Sequence, residues 1–264
     1  MNNNLPARDY KLYGLIVGLS VTIMVVCDTL IFKTIDIHGL KITGSGIVFS
    51  LNFLLSTITT EVYGYRLGGR TVWVFVSCQT LFVLLINAFA LLQPEGNELA
   101  KSYYFLFHDF WRVMIAVWAA VPAAYFCNGF IVSRLKIYFN GRLFIARYVL
   151  SAVISQGVML LISYPINLYG KYSNLDIINI ILTTWTYKVF MSVILLPLGL
   201  FLALMIKRIE KTDYYDWGIP YNPFLVFREH DLSLDRNRYD RKQTEQEYRD
   251  GADNRSSPVG GSAS

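Results

Sequence analysis

Glu61 and Lys188 each place a charge inside a stretch otherwise apolar enough to enter a bilayer. A carboxylate at the centre of a membrane helix costs about 3 kcal/mol on insertion scales, so such a residue is expected to face a wet interior or a partner. Glu61 follows Thr57 by four residues on one side of its helix, while Asn52, Ser56, Thr59 and Tyr63 recur at steps of four, three and four on another. Lys188 stands between Thr184 and Ser192 at steps of four, and Gln156, Ser163 and Asn167 share a face at steps of seven and four. Tyr125 and Asn128 lie three apart on a further face. These groups suit hydrogen bonding and ion pairing. Glu61 is read as lining a substrate path or carrying a coupled proton, or else as a partner of Arg66 or Arg70; Lys188 as binding a substrate carbonyl, or else as neutralising Glu61. Asn52, Asn128 and Gln156 either bond a planar polar ligand or join helices, where such bonds average about 0.6 kcal/mol. Asn52, Glu61, Asn128, Gln156 and Lys188 are thus the candidate substrate-binding residues.

Reactive centres are missing from the sequence. There is no GxxxxGK[ST], HExxH, GxSxG or paired CxxC, and His38, His108 and His230 are scattered over two loops and the tail. Cys27, Cys78 and Cys127 each sit in an apolar segment and suit neither a disulfide framework nor a metal site. No catalytic residue, metal or cofactor is expected, and binding with translocation is favoured over an enzyme.

The elements that position these groups must be membrane helices. Hydrophobic residues make up 54% of the 264 positions and charged residues 16%, a balance rare in soluble domains. The expected fold class is all-α, a polytopic membrane protein with six transmembrane helices at 12–32, 45–63, 71–92, 112–133, 143–169 and 177–206, each long enough for a hydrocarbon core of about 30 Å. Gly64 is read as the end of the second helix. The net charge of +5 comes from basic residues in short loops, where it sets topology rather than contacting nucleic acid. Arg8 and Lys11, then Arg66 and Arg70, then Arg134, Lys136, Arg142 and Arg147, then Lys207, Arg208 and Lys211 all fall on one side of six spans. The opposite loops hold Lys33, Lys41, Lys101 and Lys171, so both termini are expected in the cytoplasm. Pro122, Pro165 and Pro197 fall inside spans as candidate flex points. Aromatics from Tyr103 to Trp111 read as an interfacial belt, Asp28 as interfacial, Arg112 as an outer anchor, and Lys207, Glu210, Asp213 and Asp216 as an inner cap. Residues 1–228 are expected to form the transmembrane domain and 229–264 a disordered cytoplasmic tail, with interleaved charges and then Ser and Gly.

Several ordered stretches resemble the queuosine precursor transporter family, also described as a vitamin uptake transporter family of bacterial inner-membrane proteins. They are TEVYGY at Thr60–Tyr65 with Arg70 and Trp73; Asn128 followed by Leu135-Lys136; Arg147, Ser151 and Gln156-Gly157; and Tyr187-Lys188 followed by Pro197, Lys207, Glu210, Asp213, Tyr215-Asp216 and Asn222-Pro223-Phe224. The resemblance implies a six-helix importer of 7-deazaguanine precursors of the tRNA base queuosine. Two positions differ: Ser56-Thr57 and Val158-Met159 stand where the family pattern has acidic residues. A carboxylate accepts two hydrogen bonds at once and suits the amino-pyrimidinone edge of such a base, so the resemblance bears on fold more than on substrate. A same-fold transporter of a different small nutrient and a substrate-binding subunit of an energised uptake complex are the alternatives. The expected partners are a small-molecule substrate and the lipid bilayer, without nucleic acid; self-association into a homo-oligomer stays open.

Overall fold

The computed structural model describes residues 10–30, 34–37, 40–92, 97–170, 172–227 and 237–239. Arg8, Lys33 and Lys171 lie outside them, as does all of the expected tail except Asn237–Tyr239. The described chain is helical apart from one small hairpin, the connections between helices and the irregular segment that follows α6. Its elements are α1 (Tyr13–Leu30), β1 (Thr34–Ile37), β2 (Leu40–Thr43), α2 (Gly44–Leu91), α3 (Glu98–Phe107), α4 (Phe110–Tyr138), α5 (Phe144–Leu168) and α6 (Asn174–Glu210), with a 3-10 turn at Pro223–Leu225. The strands pair antiparallel from Thr34 opposite Thr43 to Ile37 opposite Leu40, in segments rich in β-branched Thr and Ile. In the aromatic loop, Asn97 accepts a hydrogen bond from the Leu99 N–H and starts α3, which leaves Tyr103, Tyr104 and Phe105 exposed.

Among the described residues, five helices are long and apolar enough to cross a membrane, with α3 and α4 counted together. The helices expected at 45–63 and 71–92 are the two arms of α2, joined without a loop at Gly64, whose backbone (φ 84°, ψ 171°) is the one departure from helical geometry between them. Only glycine adopts that conformation readily. The chain folds back there: Phe53 and Phe75, equally distant from Gly64 in sequence, both pack on the Tyr125 ring at 5.2 and 5.0 Å between centroids. Ser45 and Gln79 likewise both reach the end of α1, at Cys27 and Asp28. The expected link at 64–70 is almost all helical, because the Asp216 carboxylate accepts the Tyr65 N–H (3.0 and 3.2 Å) and starts the second arm at once. At the end of the first arm, the Glu61 carbonyl accepts from the Lys136 ammonium and the Val62 carbonyl from the Tyr214 N–H. Both helix ends at the fold-back are thereby satisfied from segments far away in sequence.

The first arm of α2 is the centre of the bundle, packed by α1, α4 and α6, with α5 closing the far side against α4 and α6. From Asn52 to Tyr65 nearly every residue is buried, apolar and polar alike. Thr57 and Thr59 satisfy their hydroxyls on carbonyls four residues back. The outer surface carries Leu81, Leu84, Phe89, Phe190 and Phe201, all exposed. Apolar groups outside and polar groups inside suit a protein solvated by lipid.

Candidate functional site

Near the end of the bundle where α1 finishes and α4 begins, a cavity of about 110 Å³ opens between α1, both arms of α2, α4, α5 and α6. That space exceeds what one water needs and suits a small molecule. One wall is apolar, from Val113 to Val121 of α4; the others bring polar groups. Asp28, at the end of α1, is 6% exposed, and both its carboxylate oxygens accept from Gln79 Nε2 at 2.7 and 2.8 Å. Gln79, on the second arm of α2, keeps a buried Oε1 without a hydrogen-bond partner. Asn167 of α5 does the same with Oδ1. Lys188 enters from α6, 7% exposed, its ammonium 4.1 Å from the centroid of the Phe49 ring. Among the described residues it has no ion pair. A buried cation held only against a ring face is costly unless something else shares the space.

Below the cavity, polar residues are stacked toward the other end of the bundle. Asn52 donates to the Tyr125 hydroxyl at 3.0 Å, and that hydroxyl lies 3.8 Å from Met24 Sδ in the cavity wall. Gln156 donates to Ser192 at 2.7 Å, and Ser192 donates to the Lys188 carbonyl one turn earlier. Asn128 and Thr57 bond each other at 3.1 Å.

Glu61 closes the stack. Its carboxylate takes Arg147 Nη1 at 2.5 Å, Arg147 Nη2 at 3.1 Å and Lys207 Nζ at 2.7 Å, with Lys136 Nζ 3.9 Å away. Lys136 and Lys207 also pair with Asp213 at 2.7 and 2.8 Å. Three cations thus meet two carboxylates, and apart from Lys207 at 15% the side chains are no more than 9% exposed. Asp213 lies beyond α6, where burial works to raise its carboxyl; the Lys136 and Lys207 ammoniums override this and hold it below the usual carboxylate range. Asn237 docks on the same segment, its Oδ1 accepting the Asp213 N–H and its Nδ2 donating to the Lys211 carbonyl.

Of the five candidates, Lys188 lines the cavity, Asn52 and Gln156 lie in the layer beneath it, Asn128 lies deeper, and Glu61 sits in the ion cluster at the far end. Lys188 and Lys207 are separated by about 28 Å of α6, so Lys188 does not serve as the partner of Glu61. Arg66 and Arg70 do not either: they donate to the carbonyls of Leu225 and Val226. Lys207 and Asp213 join the Glu61 cluster, while Glu210 accepts the Leu12 N–H and the Tyr63 hydroxyl, and Asp216 caps the second arm. Arg112 remains outside, over Trp111. Asp28 is no interfacial residue, because the second arm of α2 covers it. Its pairing with Gln79 carries no periodic signal in the sequence; the one clue is that each is isolated in an apolar helix, where polar groups are costly.

A bundle of this make, apolar outside and enclosing a polar cavity, is a multi-pass membrane protein. The model of the family described as "Putative vitamin uptake transporter" matches residues 43–202, well over half of the chain. The chain belongs to that transporter family, and the match takes in Glu61, Gln79, Arg147 and Lys188. No curated protein and no solved structure matches it.

Proposed function

We propose that this chain is a six-span importer of a small, planar, hydrogen-bonding molecule, a 7-deazaguanine precursor of queuosine, in a bacterial inner membrane. The observation that carries this is Lys188, a buried ammonium on a cavity wall whose described surroundings offer it no carboxylate within pairing distance. A donor so placed suits a ligand carbonyl. The two arms of α2, 44–63 and 65–91, run about 30 and 40 Å, each sufficient for one crossing. Counting them separately makes six crossings and sets both termini on one side. The positive-inside rule assigns that side, with Arg142, Arg208 and the Glu61 cluster, to the cytoplasm.

Import then proceeds from the cavity side. The ligand enters between α1, α4 and α5, while the stacked polar layers and the Glu61 cluster keep the cytoplasmic end shut. Release requires Glu61 and Asp213, on α2 and the segment after α6, to part from Arg147 of α5 and Lys136 of α4. Rocking of these helices about Pro122, Pro165 and Pro197, which lie inside α4, α5 and α6, supplies such a motion. The test is uptake of the nitrile and aminomethyl 7-deazaguanines in a strain that neither makes nor imports them. Restored queuosine in tRNA is the expected result; no uptake from well-inserted protein would overturn the substrate assignment.

A further inference from the structure

Asp28 supplies the cavity with a carboxylate that the positions at Ser56-Thr57 and Met159 do not. Gln79 Nε2 bridges its two oxygens, which fixes the carboxylate yet uses only one acceptor position on each. Gln79 Oε1, on a side chain 2% exposed, is left without a donor, so this corner of the cavity offers acceptors in excess. Lys188 offers donors from another wall. One carboxylate and one ammonium cancel in net charge, so a neutral ring edge enters between them without leaving a charge uncompensated.

Resting on the importer reading above, we propose that Asp28, held by Gln79, is the specificity-determining residue of this site. It selects heterocycles whose neutral ring edge presents a ring N–H beside an exocyclic amino group, while Lys188 takes the adjoining ring carbonyl. The exocyclic amino group meets an acceptor position that Gln79 leaves free on Asp28, as a charge-assisted hydrogen bond, and the ring N–H meets the unpartnered Oε1 of Gln79. A heterocycle with the same ring and carbonyl but no amino group leaves one acceptor of Asp28 buried and unmet, which is the situation that separates ligands most sharply.

The test uses the full chain in the uptake strain, with the labelled nitrile, 7-cyano-7-deazaguanine, as a neutral substrate and unlabelled 7-deazaguanine and 7-deazahypoxanthine as competitors. These two differ only in the amino group. Wild-type protein is expected to respond to the amino compound at a concentration about tenfold or more below that of its partner. Asp28→Asn, which turns one acceptor into a donor facing the ligand, is expected to bring that ratio close to one. Lys188→Met is expected to weaken both competitors alike. Equal response of the wild type to the two compounds overturns the assignment even if the Asp28 variant fails to insert, and so does an unchanged ratio in inserted Asp28→Asn. Absence of any uptake by inserted wild type instead overturns the queuosine-precursor assignment on which this proposal rests, and the Asp28 assignment falls with it.

Discussion

Glu61→Gln tests the ion cluster most directly. The wild-type cluster holds Arg147, Lys136 and Lys207 against Glu61 and Asp213, a net charge of one positive; the substitution makes it two positive and leaves Arg147, 1% exposed, without its carboxylate. Removing one partner of a buried pair costs about 3–5 kcal/mol, mostly the penalty of the charge left behind. For a chain of this size that is a fall in Tm of roughly 6–20 °C. The double variant Glu61→Gln with Arg147→Met restores the wild-type net charge and is expected to recover most of the loss, since neutral replacement of a buried pair is often neutral or stabilising. The assay is thermal unfolding of both singles and the double in detergent, followed by circular dichroism and read as a double-mutant cycle. A single-variant cost below about 1 kcal/mol, or a double-variant cost equal to the sum of the singles, would refute the claim that the two charges are buried on each other.

Three further outcomes follow from the geometry. Gly64→Ala is expected to destabilise by at least about 2 kcal/mol, because a side chain is strained at that backbone conformation and its Cβ would lie 2.7 Å from the Asp216 carboxylate that caps the second arm; an unchanged Tm would show that the fold-back does not depend on glycine. Lys188→Met is expected to cut uptake at least tenfold while leaving Tm equal or higher, since the ammonium has no described ion pair to lose; normal uptake would remove Lys188 from the site. For Asp213 the carboxyl is lowered on folding, so its stabilisation is complete above the unfolded value near pH 4 and is lost as pH falls through the lower folded value. Tm of the wild type should therefore drop more steeply below about pH 4 than that of Asp213→Asn, which already lacks the charge; parallel acid limbs would count against the pairing with Lys136 and Lys207.

Much of the architecture is written locally. Apolar runs of about twenty residues dictate membrane helices, and the polar steps through Asn52, Thr57, Glu61 and Tyr63 mark the arm that would be surrounded by protein rather than lipid, because a polar face in lipid has no partner. The basic residues at Lys136, Arg142 and Lys207 mark one end of the bundle for the same reason that charge avoids the hydrocarbon. Gly64 is legible as a helix end. That the next helix begins at Tyr65 is not, since the group that starts it, Asp216, lies 151 residues further along. The candidate site divides in the same way. Lys188 is visible as a lone cation in an apolar stretch, and its helix carries it into the cavity. Asp28 and Gln79 are 51 residues apart, and Glu61 lies 86 residues from Arg147 and 146 from Lys207. Sequence alone therefore determined which segments are apolar and long enough to cross a membrane and that a polar residue within them, such as Glu61 or Lys188, has to face inward, since both follow from the cost of polar groups in lipid. Only the tertiary structure decided which charge meets which, because that depends on how helices distant in the chain are packed. It closes Glu61 into a cluster at one end and leaves Asp28 and Lys188 at the cavity near the other.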